Sequence, residues 1–136
     1  MASPEVFDTI KGYLDTAWTE TPIAFENDGF EPPDDPEPWV LIEVFGDFFE
    51  QESIGAEMQT TNLWREQGQL VAHVMVPRGT GSSLARTHAR AIVDLFRGQE
   101  VGSVVFTTAS IGASEPGETD GSYFRMTATL DWSRDT

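Results

Sequence analysis

The chain has 136 residues, a formal net charge of −15 at neutral pH and no cysteine. A chain of this length is expected to form one domain that buries about two-thirds of its unfolded surface. The lack of cysteine excludes disulfides and thiolate metal sites. The apolar runs stop short of the roughly 20 residues that a membrane helix needs, so a soluble protein is expected.

The negative charge is concentrated in one part of the chain. Thirteen carboxylates and no basic residue lie between Lys11 and Arg65. Proteins bind nucleic acids and anionic membranes through lysine and arginine, so neither is an expected partner of this region. The acidic segment is therefore expected to contact a cationic partner, or to face a molecule that must not adhere to the protein.

The N-terminal third predicts a helix followed by an irregular segment. Apolar residues at three- and four-residue spacing indicate a helix over residues 4–18, with Ser3 as its N-cap and Pro4 at its first position. Residues 19–38 contain five prolines and seven acids, which predicts an extended, solvated connection.

The middle of the chain predicts strands. A strand over residues 39–45 is apolar on both faces except at Glu43, which indicates that both faces are covered. Residues 47–57 are expected to form a loop between strands. Residues 58–65 and 69–76 predict two antiparallel strands joined by a turn at 66–68.

The C-terminal half predicts a helix and two strands. The helix is expected over residues 83–97 and is followed by Gly98 as a left-handed stop. Strands are expected over 101–110 and 122–132, joined by a polar loop around Glu115. The predicted inward stripe of the helix is Leu84, His88, Ala91, Ile92, Leu95 and Phe96.

These elements follow the order α-β-β-β-α-β-β. The order predicts a single α+β domain over residues 1–136, in which two helices pack on one face of a largely antiparallel four- to five-stranded sheet.

Catalytic and metal-binding patterns are not found in the sequence. The chain has one lysine, two histidines and no Gly-x-Ser-x-Gly motif, so we expect no enzyme, cofactor or dedicated metal site. Asp28-Gly29 could match an EF-hand loop, but that register places Ala24 at the first ligand position. Loose calcium binding by residues 28–37 remains an alternative to a simple solvated loop.

Apolar and aromatic residues in unusual positions are the best candidates for a contact surface. They lie in the acidic loop, near the predicted turn and on the strand face away from the helices, and such patches on soluble proteins commonly mark protein contacts. An alternative is that the loop folds back over its own phenylalanines. The candidate interface residues are Phe48, Phe49, Ile54, Trp64, Val71, His73 and Met75.

A resemblance to a known family extends over nearly the whole chain. The matching features are Thr21-Pro-Ile-Ala-Phe-Glu-Asn, Gln51-Glu-Ser-Ile-Gly, Val74-Met-Val-Pro, the Gly79-Thr-Gly turn and a helix ending Asp94-Leu-Phe-Arg-Gly. With these features the chain resembles the tail terminator proteins of long-tailed phages and of phage-derived gene transfer agents. These features are structural rather than catalytic, so no site residue is carried over from the family.

The resemblance implies a structural virion protein at the head-proximal end of the tail, assembled in the cytoplasm of the bacterial host. Such proteins form a ring, typically of six copies, that caps the tail tube, stops its polymerisation and contacts the head-side connector. DNA would pass through without tight binding. Phage and gene transfer agent are both possible origins, and the acids could line the lumen or the rim. The alternative function is an acidic DNA mimic that blocks a basic nucleic-acid-binding protein.

Overall fold

The computed structural model describes residues 2–112 and 121–136 in full and the backbone of 118–120. The predicted loop around Glu115 therefore lies outside the described residues. The helices are α1 (Pro4–Ala17) and α2 (Ser83–Phe96), and a short 3-10 helix spans Gln59–Thr61. The strands are β1 (Ile23–Phe25), β2 (Trp39–Gln51), β3 (Trp64–Pro77), β4 (Glu100–Val101), β5 (Val104–Ile111), β6 (Glu118–Asp120) and β7 (Tyr123–Asp135).

The seven strands form one mixed sheet. Its order is β1-β2-β3-β7-β5-β4, and β6 also pairs with β7. β1 runs parallel to β2, and the other pairs are antiparallel. The α+β class and the two helices are confirmed, but the prediction of four to five strands was too low. The strands β1, β4 and β6 are two or three residues long, too short to produce a periodic pattern in the sequence.

Both helices pack on the same face of the sheet and share one core. Val6, Ile10 and Leu14 of α1 are fully buried. They join alternate residues of the central strands, such as Ile42 and Leu70, in one apolar cluster. Every second residue in the central parts of β2, β3 and β7 therefore faces the helices.

The inward stripe of α2 differs from the predicted one. Ala85 and Ala89 are fully buried, whereas Leu84 is largely exposed and His88 is half-buried. Ile92 and Phe96 of the predicted stripe are fully buried, and Val93 is buried beside them. The buried face is therefore rotated from the predicted one toward Ala85, Ala89 and Val93.

The predicted turn at residues 66–68 is wrong. β3 is one continuous strand that pairs with β2 and β7 along its length. Glu66 is buried within it and accepts hydrogen bonds from the Ser3 backbone N–H (2.6 Å) and the Ser3 hydroxyl (2.7 Å). A Glu-Gln-Gly sequence is typical of a turn, but here it anchors the start of α1. The Ser3 side chain therefore makes no hydrogen bond to its own helix.

The true hairpin connects β2 with β3. The first half of the loop predicted over residues 47–57 belongs to β2, and the connection runs from 52 to 63. A β-bulge interrupts β2 at Asp47, and a second bulge interrupts β5 at Thr107. Both lie beside the register pair of Gly68 and Trp132. Bulges increase the local twist, so the sheet is curled at this level.

Candidate interaction surface

The end of the β2–β3 hairpin exposes apolar side chains. We call residues 48–63 the hairpin tip. Phe48 is 57% exposed, Phe49 54% and Ile54 92%. Met58 and Leu63 are exposed as well. The alternative in which this segment buries its own phenylalanines is therefore wrong.

Hydrogen bonds hold the tip in one conformation. The Glu52 N–H donates to the Leu63 carbonyl (2.8 Å), and the Leu63 N–H donates to the Ser53 hydroxyl (2.7 Å). The side-chain amide oxygen Oδ1 of the buried Asn62 accepts a hydrogen bond from the Ala56 N–H at 3.0 Å. These bonds connect the two sides of the tip, while its apolar side chains face solvent.

The aromatic residues of the tip and of its base lie on two faces of the sheet. Phe49 and Trp64 lie on the helix side of the sheet, and their rings meet edge to face with centroids 6.1 Å apart. Phe48 pairs with Gln67 and lies on the opposite side. Trp64 Nε1 also donates to the Gln59 carbonyl at 3.0 Å, which ties the indole to the tip. A partner at this position could therefore contact the hairpin from both sides.

Val71, His73 and Met75 lie on the sheet face away from the helices. Val71 and His73 are half-buried, and His73 Nε2 lies 2.5 Å from the Glu43 carboxylate on β2. Met75 is only 8% exposed, because it lies opposite Trp39, whose ring contacts Phe30 and Tyr123. Phe30 brings the proline-rich segment over this end of the sheet, which leaves little of Met75 for a partner.

A second exposed surface lies between α2 and β5 and was not predicted. It is a groove of about 400 Å³ that we call the α2–β5 groove. β4 pairs with Val104 and Val105, and the Phe106 N–H donates to the Gln99 carbonyl (3.1 Å), so in the described part of the chain the β5 edge beyond Phe106 has no partner strand. The residues that line the groove are Arg90, Val93, Arg97, Ala109, Ser110 and Ile111.

The groove carries positive charge in a strongly acidic protein. Arg90 and Arg97 each bind one oxygen of Asp94, at 2.9 and 3.0 Å, so two guanidinium groups share one carboxylate. Both arginine side chains are 58% exposed. The sequence carried a signal for this site, because four of its eight basic residues lie between positions 78 and 97, with Asp94 as the only acid there.

The family follows from a comparison with known proteins. A family model described as phage tail terminator protein matches residues 5–132. The chain belongs to the phage tail terminator family. No curated protein matches it. A solved structure is similar to the chain at 18% sequence identity and a TM-score of 0.62, and the match covers 94% of each chain. At this identity the likeness shows the fold alone.

As a tail terminator, the protein is a structural component of the virion that interacts with other tail components. The family is structural and is not known for an enzymatic activity. In the described residues, no three acids or histidines are grouped as a metal ion would require, including those in residues 28–37. No described helix has the length and hydropathy to cross a membrane.

The acids of this tail terminator occupy different environments. Glu31, Asp34, Asp35 and Glu37 are exposed in the segment between β1 and β2. Glu26 differs, because partial burial and then the nearby charge of Glu43 raise the pKa of its carboxyl.

At the other end of the sheet, Asp135 accepts two hydrogen bonds from Arg65, at 2.7 and 3.0 Å. These bonds lower the pKa of the Asp135 carboxyl.

Proposed function

We propose that this tail terminator forms a ring of six copies that caps the tail tube, stops its polymerisation and joins the tail to the head-side connector. The family match over residues 5–132 is the observation that carries this proposal. Ring formation requires surfaces that bind a second copy, and termination requires a surface that binds the last ring of the tube.

The exposed surfaces are consistent with these requirements. The hairpin tip exposes Phe48, Phe49 and Ile54 on a segment that internal hydrogen bonds cross-link. Aromatic and aliphatic side chains of this kind provide much of the binding energy at protein interfaces. The half-buried outer face around Val71 and His73 is a further candidate contact for the tube or the connector.

The charge is consistent with passage of DNA through the ring. Six copies of a chain with charge −15 would carry about −90. Phosphate repulsion acts within a Debye length of about 8 Å at physiological salt, so acids that face the lumen would keep DNA from adhering. The alternative of a DNA mimic has no support from the family match.

A tube-growth assay tests this proposal. The purified protein is added to polymerising tail tube protein from the same particle, and tube lengths are measured by electron microscopy. We expect shorter tubes with a ring at one end, and labelled protein at the head-proximal end of complete tails. Unchanged tube lengths together with a monomeric protein would exclude the proposed function.

A further inference from the structure

We propose that the hairpin tip of one copy docks in the α2–β5 groove of the next copy. This inference rests on the proposed ring, because it names the two surfaces that would join neighbouring subunits. The occupant of the groove is thus a second copy of this chain, and Ile54 is the residue that enters it.

The tip cannot occupy the groove of its own chain. Ala109 of the groove is level with Leu130 of β7, and Leu130 is level with Leu70 of β3. Trp64, at the base of the tip, is six residues further along β3, roughly 20 Å away at 3.3 Å per residue. β2 and β5 are separated by three strand spacings, roughly 14 Å. Ile54 is 92% exposed, so its side chain does not dock within its own chain.

The two surfaces match in their apolar chemistry. Val93, Ala109 and Ile111 provide the apolar part of the groove, and among the described residues no strand pairs with the edge of β5 beside it. Its volume of about 400 Å³ is within the range of roughly 300–1,000 Å³ that is usual for ligand pockets. An isoleucine and a neighbouring side chain of the tip are small enough for such a space.

The two surfaces also match in charge. The hairpin tip contains three acids, Glu50, Glu52 and Glu57, and no basic residue, and Arg65 at its base lies 3.9 Å from Glu52. The groove presents Arg90 and Arg97 with one carboxylate between them. Two copies of a chain with charge −15 repel each other overall. Contact between the acidic tip and the basic groove places opposite charges together and opposes this repulsion.

This contact is heterologous, because the tip and the groove are different surfaces of one subunit. A heterologous contact leaves one free tip and one free groove on every open chain of subunits. Such a chain ends only when it closes into a ring, whereas a non-closing geometry gives a filament. The tip and the groove therefore provide the joint that a ring of identical subunits requires.

Mixing variants with one broken joint tests the inference. Ile54→Asp breaks the tip, and the double variant Arg90→Glu with Arg97→Glu breaks the groove. Each variant alone is expected to self-associate at least tenfold more weakly than the wild type. An equimolar mixture retains one intact joint per pair, so we expect a 1:1 heterodimer and no ring by analytical ultracentrifugation. The control Arg78→Glu changes an exposed arginine outside the groove and should still form rings.

Cysteine pairing gives an independent readout, because the natural chain contains no cysteine. The double variant Ile54→Cys with Ala109→Cys should form oxidised ladders up to the size of the ring. A matched pair, Ile54→Cys with Leu84→Cys, places the second thiol outside the groove and should give no ladder. Circular dichroism melting of each variant shows that the fold is retained.

The outcomes separate the inference from the proposed function. If the wild type forms rings and stops tube growth, but the tip and groove variants still assemble and no ladder forms, the inference is overturned and the proposed function remains. A monomeric wild type that leaves tube growth unchanged overturns both. Variants that assemble only as heterodimers, together with the oxidised ladder, support the inference.

Discussion

Replacement of Gly68 by alanine should strongly destabilise the protein, because two strands approach each other closely at this position. A Cβ atom at Gly68 would lie 1.8 Å from the Phe45 carbonyl oxygen, 2.7 Å from Trp132 Cζ2 and 2.8 Å from the Gly46 Cα. Two of these three atoms belong to the backbone of β2, which cannot move without loss of ladder hydrogen bonds. Relief of the overlap requires β2 or the buried indole of Trp132 to shift.

The expected cost is about 3 kcal/mol, the upper end of the usual range for overpacked sites. For a chain of this size it corresponds to a melting temperature lower by roughly 10 °C. Urea unfolding followed by circular dichroism measures the change in the free energy of unfolding.

Gly12→Ala is the matched control for Gly68→Ala. Gly12 lies in the exposed part of α1, and a Cβ there has no atom within 4 Å. Because alanine is the better helix former, this change should stabilise the protein by about 0.5–1 kcal/mol. If Gly68→Ala leaves the free energy of unfolding within about 0.5 kcal/mol of the wild type, as surface changes usually do, the close approach of the strands is refuted.

Three further changes probe the tip, the anchor of α1 and the acid cluster. Phe48→Ser should change the free energy of unfolding by less than about 1 kcal/mol, since the ring is mostly exposed, yet lower ring assembly measured by ultracentrifugation at least tenfold. Glu66→Gln should cost about 1–2 kcal/mol in urea unfolding, because it weakens two hydrogen bonds donated by Ser3; Ser3→Ala, which keeps the backbone N–H donor, should cost less. Glu26→Gln should stabilise the protein at pH 7. The pKa of Glu26 is raised in the folded state, so the stabilising contribution of its neutral carboxyl is present below the unfolded pKa and is lost as the pH rises through the folded pKa. Glutamine stays neutral over this range and does not lose that contribution. The advantage of Glu26→Gln should disappear in unfolding measured near pH 4, and an equal advantage at both pH values would contradict the cause given for the shift.

The helices were predictable because each signal came from neighbouring residues. Pro4 begins α1 and the left-handed Gly98 follows α2, as their sequence positions indicated. The alternation in β7, from Met126 to Trp132, was also readable, because one face of the strand is buried and the other is half-exposed. These signals are local: they are helix-end residues or a repeat of two or about 3.6 residues, and they can be read without information on distant contacts.

The strands that were misread depend on distant residues. Glu66 is buried because Ser3, 63 positions away, donates two hydrogen bonds to it. Gly68 is required by the carbonyl of Phe45 on the neighbouring strand rather than by a turn. Neither contact leaves a mark in the local sequence, so the continuous strand β3 was divided into two.

The candidate surface was predicted in part. Phe48, Phe49 and Ile54 were chosen because large apolar residues are unusual in an acidic segment, and their exposure agrees with that choice. The α2–β5 groove was missed, because its apolar residues come from a helix and a strand that are distant in sequence. The clustering of arginines between positions 78 and 97 was the available signal.

The sequence by itself determined the charge, the two helices, the α+β class and the acidic segment with its apolar residues, because composition and short-range periodicity are local properties. Only the tertiary structure decided which of those residues remain exposed, where the hairpin lies and where the exposed arginines of α2 form a groove with β5. These features depend on the register of β2, β3 and β7 and on the packing of α2. Register and packing are both set by contacts between residues far apart in the chain. These contacts contribute to stability only once the sheet has formed.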